Sequence, residues 1–284
     1  MKSSRFATFG EQGLLVPIPR RVTQQPEGLH VPDTAIEWAD LPGLTIRGVS
    51  VRGHSHRWEG SVRQDQLAVG EIDDLLVCAV ADGLGSQPDS HLGAALATRF
   101  STAWPAVCDV ISPGVAEFDC QEIATALTAE AEARGVDPVR LSTTLTFAAV
   151  QRDPVAGEDG STHWRVAVGQ IGDSPAYLLR NGTWTALSGS DAAADAELSN
   201  VVDPLPQHSR ATVQQLELKP GDVLALATDG VGNLLADIPE FGDAIGSRWA
   251  ERPLSPSELL YFVDAAVKTY DDDRTLLLVG FGDL

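Results

Sequence analysis

The sequence predicts an α+β protein in which antiparallel sheets form a sandwich covered by helices. Segments with β character come in adjacent pairs, and helical segments come in pairs between them. Parallel βαβ units would instead alternate strand and helix regularly. The chain has 284 residues, of which 43% are hydrophobic and 21% charged. That composition is typical of a globular protein, and the length is ample for a buried core.

The first part of the chain predicts an irregular lead-in followed by three strands. Residues 1–43 contain several prolines and no sustained periodicity, so we expect the folded domain to span residues 44–284. Leu44–Val51 alternates apolar and polar residues as a half-buried strand does. Asp65–Val69 and Leu75–Ala81 predict a hairpin, joined through acidic turn residues.

The middle of the chain predicts two helices and then further strands. Gly93–Cys108 and Asp119–Arg134 carry Ala, Leu and Ile at helical spacing. Three segments then return to β character: Thr143–Val150, Trp164–Ile171 and Ala176–Leu179. Residues 189–209 are rich in Ala, Asp, Ser and Pro, which predicts a mobile surface loop.

The C-terminal part predicts a second hairpin and a helix. Thr212–Leu218 and Val223–Ala227 are joined by Lys219–Asp222, in which Pro and Gly suit the centre of a turn. A helix is expected over Ser257–Thr269, with Ser255 as its N-cap and a proline in its first turn.

The net charge disfavours two classes of partner, and the cysteine count indicates a cellular compartment. The 20 Lys and Arg residues face 40 Asp and Glu residues, which gives a formal net charge of −20. This disfavours nucleic acid and anionic membranes as partners. We see no apolar run long enough to span a bilayer and no secretory signal in the first ten residues. Three cysteines, an odd number in a long chain, indicate a reducing compartment, and we expect a cytoplasmic protein.

Acidic residues lie at the ends of several predicted strands. Leu75–Ala81 runs into Asp82-Gly83, and the strand after residue 222 runs into Asp229-Gly230. The closing strand, Thr275–Phe281, begins directly after Asp271-Asp272-Asp273. Since the start of one antiparallel strand lies beside the end of its neighbour, these acids can share a rim.

The first hairpin and the strand that ends at Ile171 each add one acid to this rim. If it folds about Asp73 and Asp74, facing residues have numbers that sum to 147, and Asp65 lies opposite Asp82. With the acid after Ile171, the acids that could meet are Asp65, Asp82, Asp173, Asp229 and Asp272. Two unit charges about 4 Å apart repel by roughly 4 kcal/mol at an effective dielectric of 20, so such a cluster takes up protons or cations. All-oxygen ligation suits Mg²⁺ or Mn²⁺. Asp-Gly is also a common turn dipeptide, and that simpler explanation stays open.

The motifs, taken in order, resemble those of the metal-dependent protein phosphatases, the type-2C Ser/Thr phosphatase family, in its bacterial branch. The resemblance runs from about Gly48 to Phe281. The matching segments are Gln64-Asp65, Val80–Gly85, Ser142–Leu145, Ile171–Ser174 with Ala176–Leu179, Leu218–Gly230 and Asp272–Thr275.

The resemblance implies a four-layer α-β-β-α sandwich with a binuclear Mn²⁺ or Mg²⁺ centre. It implies that Asp82 is the catalytic carboxylate that bridges both metals and that the Gly83 carbonyl is a ligand of one. Asp229 and Asp272 would complete the first metal site, and Asp65 would serve the second, through water. Asp173 would help to hold a weaker third metal. Residues 189–209 would form a flap beside the site.

Four positions depart from the family pattern. Gln64 stands where a glutamate is usual, Pro175 where an arginine is common, and Leu84 where some members have a histidine. The position of the phosphate-binding arginine is Gly60. Arg57, Arg63 or His56 could substitute for that arginine, and we favour Arg57 as a catalytic residue.

The function that the resemblance implies is hydrolysis of phospho-Ser or phospho-Thr by a metal-activated water. The substrates would be phosphorylated proteins, including a Ser/Thr protein kinase or its targets. The missing acid at Gln64 and the missing arginine at Gly60 support an alternative, a weakly catalytic pseudophosphatase that binds partners. Two further readings are Ca²⁺ binding for stability alone and zinc binding by His54 and His56.

Overall fold

The computed structural model of the protein describes residues 9, 30–157, 160–187 and 203–282. The strands are β1 Thr34–Leu41, β2 Leu44–Val51, β3 Gln66–Ile72, β4 Leu75–Ala81, β5 Glu117–Asp119, β6 Leu145–Gln151, β7 Val155–Ala156, β8 Thr162–Ile171, β9 Ala176–Arg180, β10 Thr183–Ala186, β11 Arg210–Leu218, β12 Val223–Ala227 and β13 Arg274–Phe281. The helices are α1 His54–Glu59, α2 Ser90–Ser101, α3 Gln121–Arg134, α4 Asp229–Asp237, α5 Pro239–Glu251 and α6 Pro256–Val263. Short 3₁₀ helices cover Pro105–Ile111 and Pro138–Leu141.

The strands form two antiparallel sheets that pack face to face. The first has the order β1-β2-β13-β12-β9-β10, and the second has the order β3-β4-β6-β8-β11-β5, with β7 paired to β8. One apolar core lies between the sheets, a second between the second sheet and α2 and α3, and a third between the first sheet and α4 to α6. This confirms the four-layer α-β-β-α sandwich.

The central strand β4 shows how the layers are built. Val77 and Ala79 face the helices, whereas Leu76, Cys78 and Val80 face the other sheet. Successive side chains of a strand point to opposite faces, so a strand covered on both faces is apolar throughout. Cys78 is a fully buried core residue, in agreement with its position in an apolar strand.

One strand lies in the segment that the sequence predicts to be irregular. Residues 34–41 form β1, which pairs along its whole length with β2, from Thr34↔Val51 to Leu41↔Leu44. The expectation of irregular structure up to residue 43 is therefore wrong for this stretch. Ile36 and Trp38 are exposed on this edge strand, so its apolar residues do not follow the burial pattern that identifies strands from sequence.

The predicted second hairpin is also wrong, although both of its strands exist. β11 pairs with β8 and β5 in the second sheet, and β12 pairs with β13 and β9 in the first. The turn at Lys219–Asp222 therefore carries the chain from one sheet to the other. Leu218 and Leu224 both lie in the core between the sheets. Local alternation cannot distinguish two strands that pair from two that pack across layers.

The helices differ from prediction in length and number. The helix expected over Gly93–Cys108 is α2, which ends at Ser101, since Pro105 has no amide hydrogen and starts a 3₁₀ turn instead. The helix expected from Ser257 begins as predicted with Ser255 as N-cap, but it ends at Val263. α1, α4 and α5 have no counterpart among the predicted elements.

Two sequence-based expectations concern surfaces. No helix in the described ranges is both long and apolar enough to cross a membrane. Of the predicted flap, residues 189–202 lie outside the described residues, and Leu205 in the remainder bridges to Thr143 beside the rim of the second sheet.

Candidate metal centre

The β3–β4 hairpin places the first two predicted acids opposite each other. Its register pairs Gln66 with Ala81 and Ile72 with Leu75, so the facing numbers sum to 147 as predicted. Asp65 and Asp82 lie one residue beyond the first of these pairs. The register prediction is confirmed, because a tight turn at Asp73-Asp74, with Asp73 at a φ of 53°, fixes the pairing locally.

Asp65 lies in the interior between the two sheets and is only 1% exposed. Its Oδ2 accepts hydrogen bonds from Thr228 Oγ1 at 2.7 Å and Thr275 Oγ1 at 2.8 Å. These threonines belong to the end of β12 and the start of β13, so Asp65 joins the second sheet to the first. Burial, together with the nearby charge of Asp273, raises the pKa of Asp65 to about 8.

Asp82 stands at the end of β4, where hydrogen bonds fix its backbone. Its amide donates to Thr144 Oγ1 at 2.9 Å, and its carbonyl accepts from the Thr144 amide at 2.8 Å. Burial raises the pKa of Asp82 well above its usual range. The charges of Asp65, Asp229 and Asp272 raise it further. Asp82 is therefore the residue at which acids from both sheets meet.

Gly83 follows Asp82 at a point of close backbone contact. A Cβ at this position would lie 2.7 Å from the carbonyl carbon of Ser90, at the start of α2. Real Cβ atoms do not approach a backbone carbon so closely, so only glycine fits without displacing α2. The Asp-Gly pair here is more than a turn signal, because the glycine lets α2 pack directly beside the acidic rim.

The first sheet contributes Asp229 and Asp272. The register of β12 with β13 pairs Ala227 with Leu276, which brings the end of one strand to the start of the other, as predicted. Burial raises the pKa of Asp229 to about 6, with a further contribution from the charge of Asp272. Burial also raises the pKa of Asp272. Asp173, an exposed residue after β8, adds to the charge felt by Asp229.

The charges of Asp65, Asp229 and Asp272 act on Asp82, and the charge of Asp173 acts on Asp229, so the five predicted acids are electrostatically linked. Burial and the charges of neighbouring acids raise the pKa values of Asp65, Asp82 and Asp229, because bare carboxylates repel one another in a poorly solvated place. A site of carboxylate oxygens with a nearby glycine carbonyl fits hard cations such as Mg²⁺ or Mn²⁺. The residues present thus fit a divalent metal centre.

Asp273 plays a part that the sequence analysis did not assign. Its Oδ1 accepts from the Gly53 amide at 2.6 Å and lies 2.9 Å from His56 Nδ1. Its Oδ2 accepts from the amides of Gln64 and Asp65. Asp273 is 2% exposed and ties the segment before β3 to the start of β13. The run of three acids before β13 is the sequence signal, but it does not show which acid turns inward.

His56 belongs to the cluster, whereas the other histidine of the HxH pair does not. Burial alone would lower the pKa of His56, but the hydrogen bond and the charge of Asp273 raise it to about 9. Ligand atoms of His56, Asp272 and Asp273 lie within 4.8 Å of one another. Within the described ranges, His54 is in no such group, and its pKa is lowered by burial and by Arg57.

The candidate phosphate-binding cations occupy different surroundings. Arg57 Nη1 is 3.0 Å from Asp264 Oδ1, in an ion pair beyond the end of α6. Arg63 is 1% exposed, and two of its nitrogens have no hydrogen-bond partner in the described part of the chain. The charges of Asp65 and Asp273 act on Arg63, but burial lowers its pKa.

Comparison with known proteins identifies the family. The sequence profile of the family described as Protein phosphatase 2C matches residues 52–258, most of the chain. The chain belongs to the protein phosphatase 2C family. By family it is a protein serine/threonine phosphatase, which confirms the resemblance seen in the motifs. A search of curated proteins found no match.

Solved phosphatase structures share the fold. PppA, described as a regulatory component of the T6SS in Pseudomonas aeruginosa, has a TM-score of 0.57 and 20% identity, over 85% of this chain and 99% of its own. The catalytic domain of the phosphatase PstP, in complex with two manganese ions, has a TM-score of 0.54 and 20% identity, and the match covers 85% of this chain and 99% of PstP's. RsbX in complex with magnesium has a TM-score of 0.54 and 16% identity, and the match covers 87% of this chain and 100% of RsbX. At these identities, the likeness establishes the architecture of a phosphatase 2C.

Proposed function

We propose that this phosphatase 2C hydrolyses phosphoserine and phosphothreonine in proteins at a binuclear Mn²⁺ or Mg²⁺ centre, with a weaker third ion. The observation that carries the proposal is the meeting of Asp65 and Asp82 from one sheet with Asp229 and Asp272 from the other. Membership of the family and the metal ions named for PstP and RsbX support the same choice of cation.

The roles proposed for the acids follow from their positions. The charges of Asp65, Asp229 and Asp272 all act on Asp82. Asp82 would therefore bridge two ions, and the Gly83 carbonyl would be a ligand of one. Asp229 and Asp272 would complete the first site. Asp65 would serve the second through water, and Asp173 would help to hold the third ion. When bound, the ions supply a water nucleophile at neutral pH and neutralise charge on the phosphoryl oxygens.

The remaining residues orient these ligands. Thr228 and Thr275 donate to one oxygen of Asp65 and so set the direction of its carboxylate. Asp273 holds the amides of Gly53 and Gln64, which fixes the chain entering β3 against the chain entering β13. Hydrogen bonds of this kind hold metal-binding carboxylates in productive positions before the ions arrive.

The proposed partners are phosphorylated proteins, including a Ser/Thr protein kinase or its targets, in the cytoplasm. Support for phosphorylated proteins as substrates comes from the family.

The experiment that tests this function compares the wild type with Asp82→Asn in Mn²⁺-dependent hydrolysis of p-nitrophenyl phosphate and of a phosphothreonine peptide. We expect turnover by the wild type and a loss of roughly 100-fold or more in the variant, because one ligand of both proposed ions is neutralised. Asp243→Asn, the same change on the exposed face of α5, is the matched control and should keep wild-type activity. A folded, Mn²⁺-bound wild type without turnover would refute the enzyme and favour the pseudophosphatase.

A further inference from the structure

A pocket of about 440 Å³ lies between the segment that leads into β3 and the segment that follows β4. One wall is the last residue of α1, Glu59, with the segment that leads into β3, which includes Gly60 and Gln64. The other wall follows β4 and includes Ser86. His91 of α2 closes one side. Gln64 is the direct neighbour of Asp65 in the chain, so the segment that lines the pocket also carries one acid of the cluster.

The pocket offers hydrogen-bond acceptors that lack donors. Gln64 is 8% exposed, and its Oε1 has no hydrogen-bond partner in the part of the chain that the structure describes. This oxygen lies 3.7 Å from where a Cβ of Gly85 would be, and Gly85 itself lines the pocket. His91 is 4% exposed, and neither ring nitrogen has a partner among the described residues. A buried acceptor without a donor is unfavourable, so a ligand that brings donors is favoured here.

The electrostatic character of the pocket favours a cation. None of the described residues that line it is a lysine or an arginine, and Glu59 adds a carboxylate on the rim. Burial lowers the pKa of His91, which disfavours its charged form. Gly60 ends α1 at a φ of +85° in the left-handed region, which favours glycine there and keeps a side chain of the protein out of the pocket.

A guanidinium group has the chemistry that this pocket lacks. It carries a permanent positive charge and five N–H donors in a planar fork, whereas an ammonium group offers a compact point charge with three donors. Acceptors on Gln64 and Ser86 suit donors that point in different directions within one plane.

We propose that this pocket binds the side chain of an arginine close to the phosphorylated residue of the substrate. The proposal rests on the proposed phosphatase function, because it places the phosphate at the neighbouring acidic cluster. The substrate class is therefore phosphoproteins with arginine flanking the phosphoserine or phosphothreonine.

The test uses phosphothreonine peptides with one arginine moved across the three positions on either side. Each is paired with a citrulline peptide, which has nearly the same shape without the charge. We expect kcat/KM to be at least tenfold higher for the arginine peptide at one or two positions. Equal kcat/KM for every pair, while p-nitrophenyl phosphate is hydrolysed, would overturn the pocket and leave the phosphatase function intact.

Two variants separate the pocket from the general attraction of an acidic protein for basic peptides. Ser86→Arg places a guanidinium at the exposed edge of the pocket, and Ser112→Arg adds the same charge at an exposed serine outside it. We expect the arginine preference, measured within each variant as the ratio of kcat/KM for the arginine and citrulline peptides, to disappear in Ser86→Arg and to persist in Ser112→Arg. Equal loss in the two variants would overturn the proposal.

A binding measurement keeps the pocket testable if no substrate is hydrolysed. In that outcome the phosphatase function fails, and fluorescence anisotropy of labelled arginine and citrulline phosphopeptides is used instead. At least tenfold tighter binding of the arginine peptide, removed by Ser86→Arg but not by Ser112→Arg, would support the pocket. Equal affinities would overturn it.

Discussion

Single residues in the acidic cluster have distinct tasks despite their identical chemistry. Asp65 is buried with two threonine donors on one oxygen, whereas Asp173 is exposed. Asp273 uses both of its oxygens to hold backbone amides and His56, so it is a positioning residue. Burial and donors, which differ at each position, therefore separate the proposed metal ligands from the carboxylates that orient them.

At the same scale, Arg57 remains the proposed phosphate-binding residue, and its ion pair with Asp264 makes the proposal specific. We expect Arg57→Ala to raise KM for p-nitrophenyl phosphate several-fold with little change in kcat, because ground-state binding of the phosphate is lost. The measurement is steady-state kinetics with Mn²⁺.

The control for Arg57 is Asp264→Asn, which releases the guanidinium without removing it. If Arg57 binds phosphate, this variant should leave KM unchanged or lower it. If both variants behave as the wild type, Arg57 is a structural residue of the α1–α6 contact, and His56 becomes the next candidate.

Among the structural elements, the contact between the end of β4 and the start of α2 controls the shape of the rim. Gly83→Ala would place a Cβ 2.7 Å from a backbone carbon of Ser90, so α2 must shift. We expect a loss of roughly 1–3 kcal/mol in the free energy of unfolding, as for other overpacked sites, and a fall in Tm of several degrees. Thermal unfolding of the metal-free protein measures this.

Gly85→Ala is the matched control for that prediction. It lies two residues further along, and its Cβ would meet only Gln64 Oε1 at 3.7 Å, an ordinary contact. We expect its Tm to stay near that of the wild type. Equal Tm values for both variants would show that α2 does not depend on the close approach at Gly83.

Helix ends were only partly predictable from sequence. The start of α6 follows from Ser255, whose side chain and that of Glu258 form a capping box. Its end is set by Arg274, which donates to the carbonyls of Val263, Ala265 and Tyr270. A local cap can be read from neighbouring residues, but an arginine eleven residues beyond Val263 acts only once β13 is in place.

For the whole molecule, the cluster predicts how stability depends on pH and metal. The pKa values of Asp65 and Asp229, about 8 and about 6, lie above the usual value of about 4 for an unfolded chain. The folded state therefore binds more protons than the unfolded chain. The stability that Asp65 and Asp229 contribute is fully present below about pH 4 and is lost as pH rises toward 8. The raised pKa of His56, about 9, acts in the same direction.

We expect the Tm of the chelator-treated protein to fall steadily between pH 5 and pH 8.5. Cations replace the protons, so a metal at about 100 times its Kd adds about 2.7 kcal/mol, or roughly 5–10 °C in Tm. The gap between metal-free and Mn²⁺-loaded Tm should widen with pH, and Asp65→Asn should flatten the metal-free profile between pH 6 and 8. A metal-free Tm that rises over this range would contradict the prediction.

The net charge of −20 divides into two populations in the folded molecule. One is the small group of strand-end acids that repel one another and fit cations. The other is the solvated surface, which favours basic over acidic phosphopeptides through the field of the whole protein. The proposed arginine pocket is a local form of the same preference.

The sequence by itself determined the β3–β4 register, the acids at the ends of strands and the order of the family motifs. These depend on residues that are close together in the chain, such as the turn at Asp73-Asp74. Only the tertiary structure decided that β11 and β12 belong to different sheets, that Asp273 turns inward and that Gln64 lies beside a pocket. Each of these depends on contacts between the two sheets or between a sheet and a helix. Several ways of packing those layers have the same local patterns of burial and turns, so these features depend on the tertiary packing and cannot be read from the local sequence.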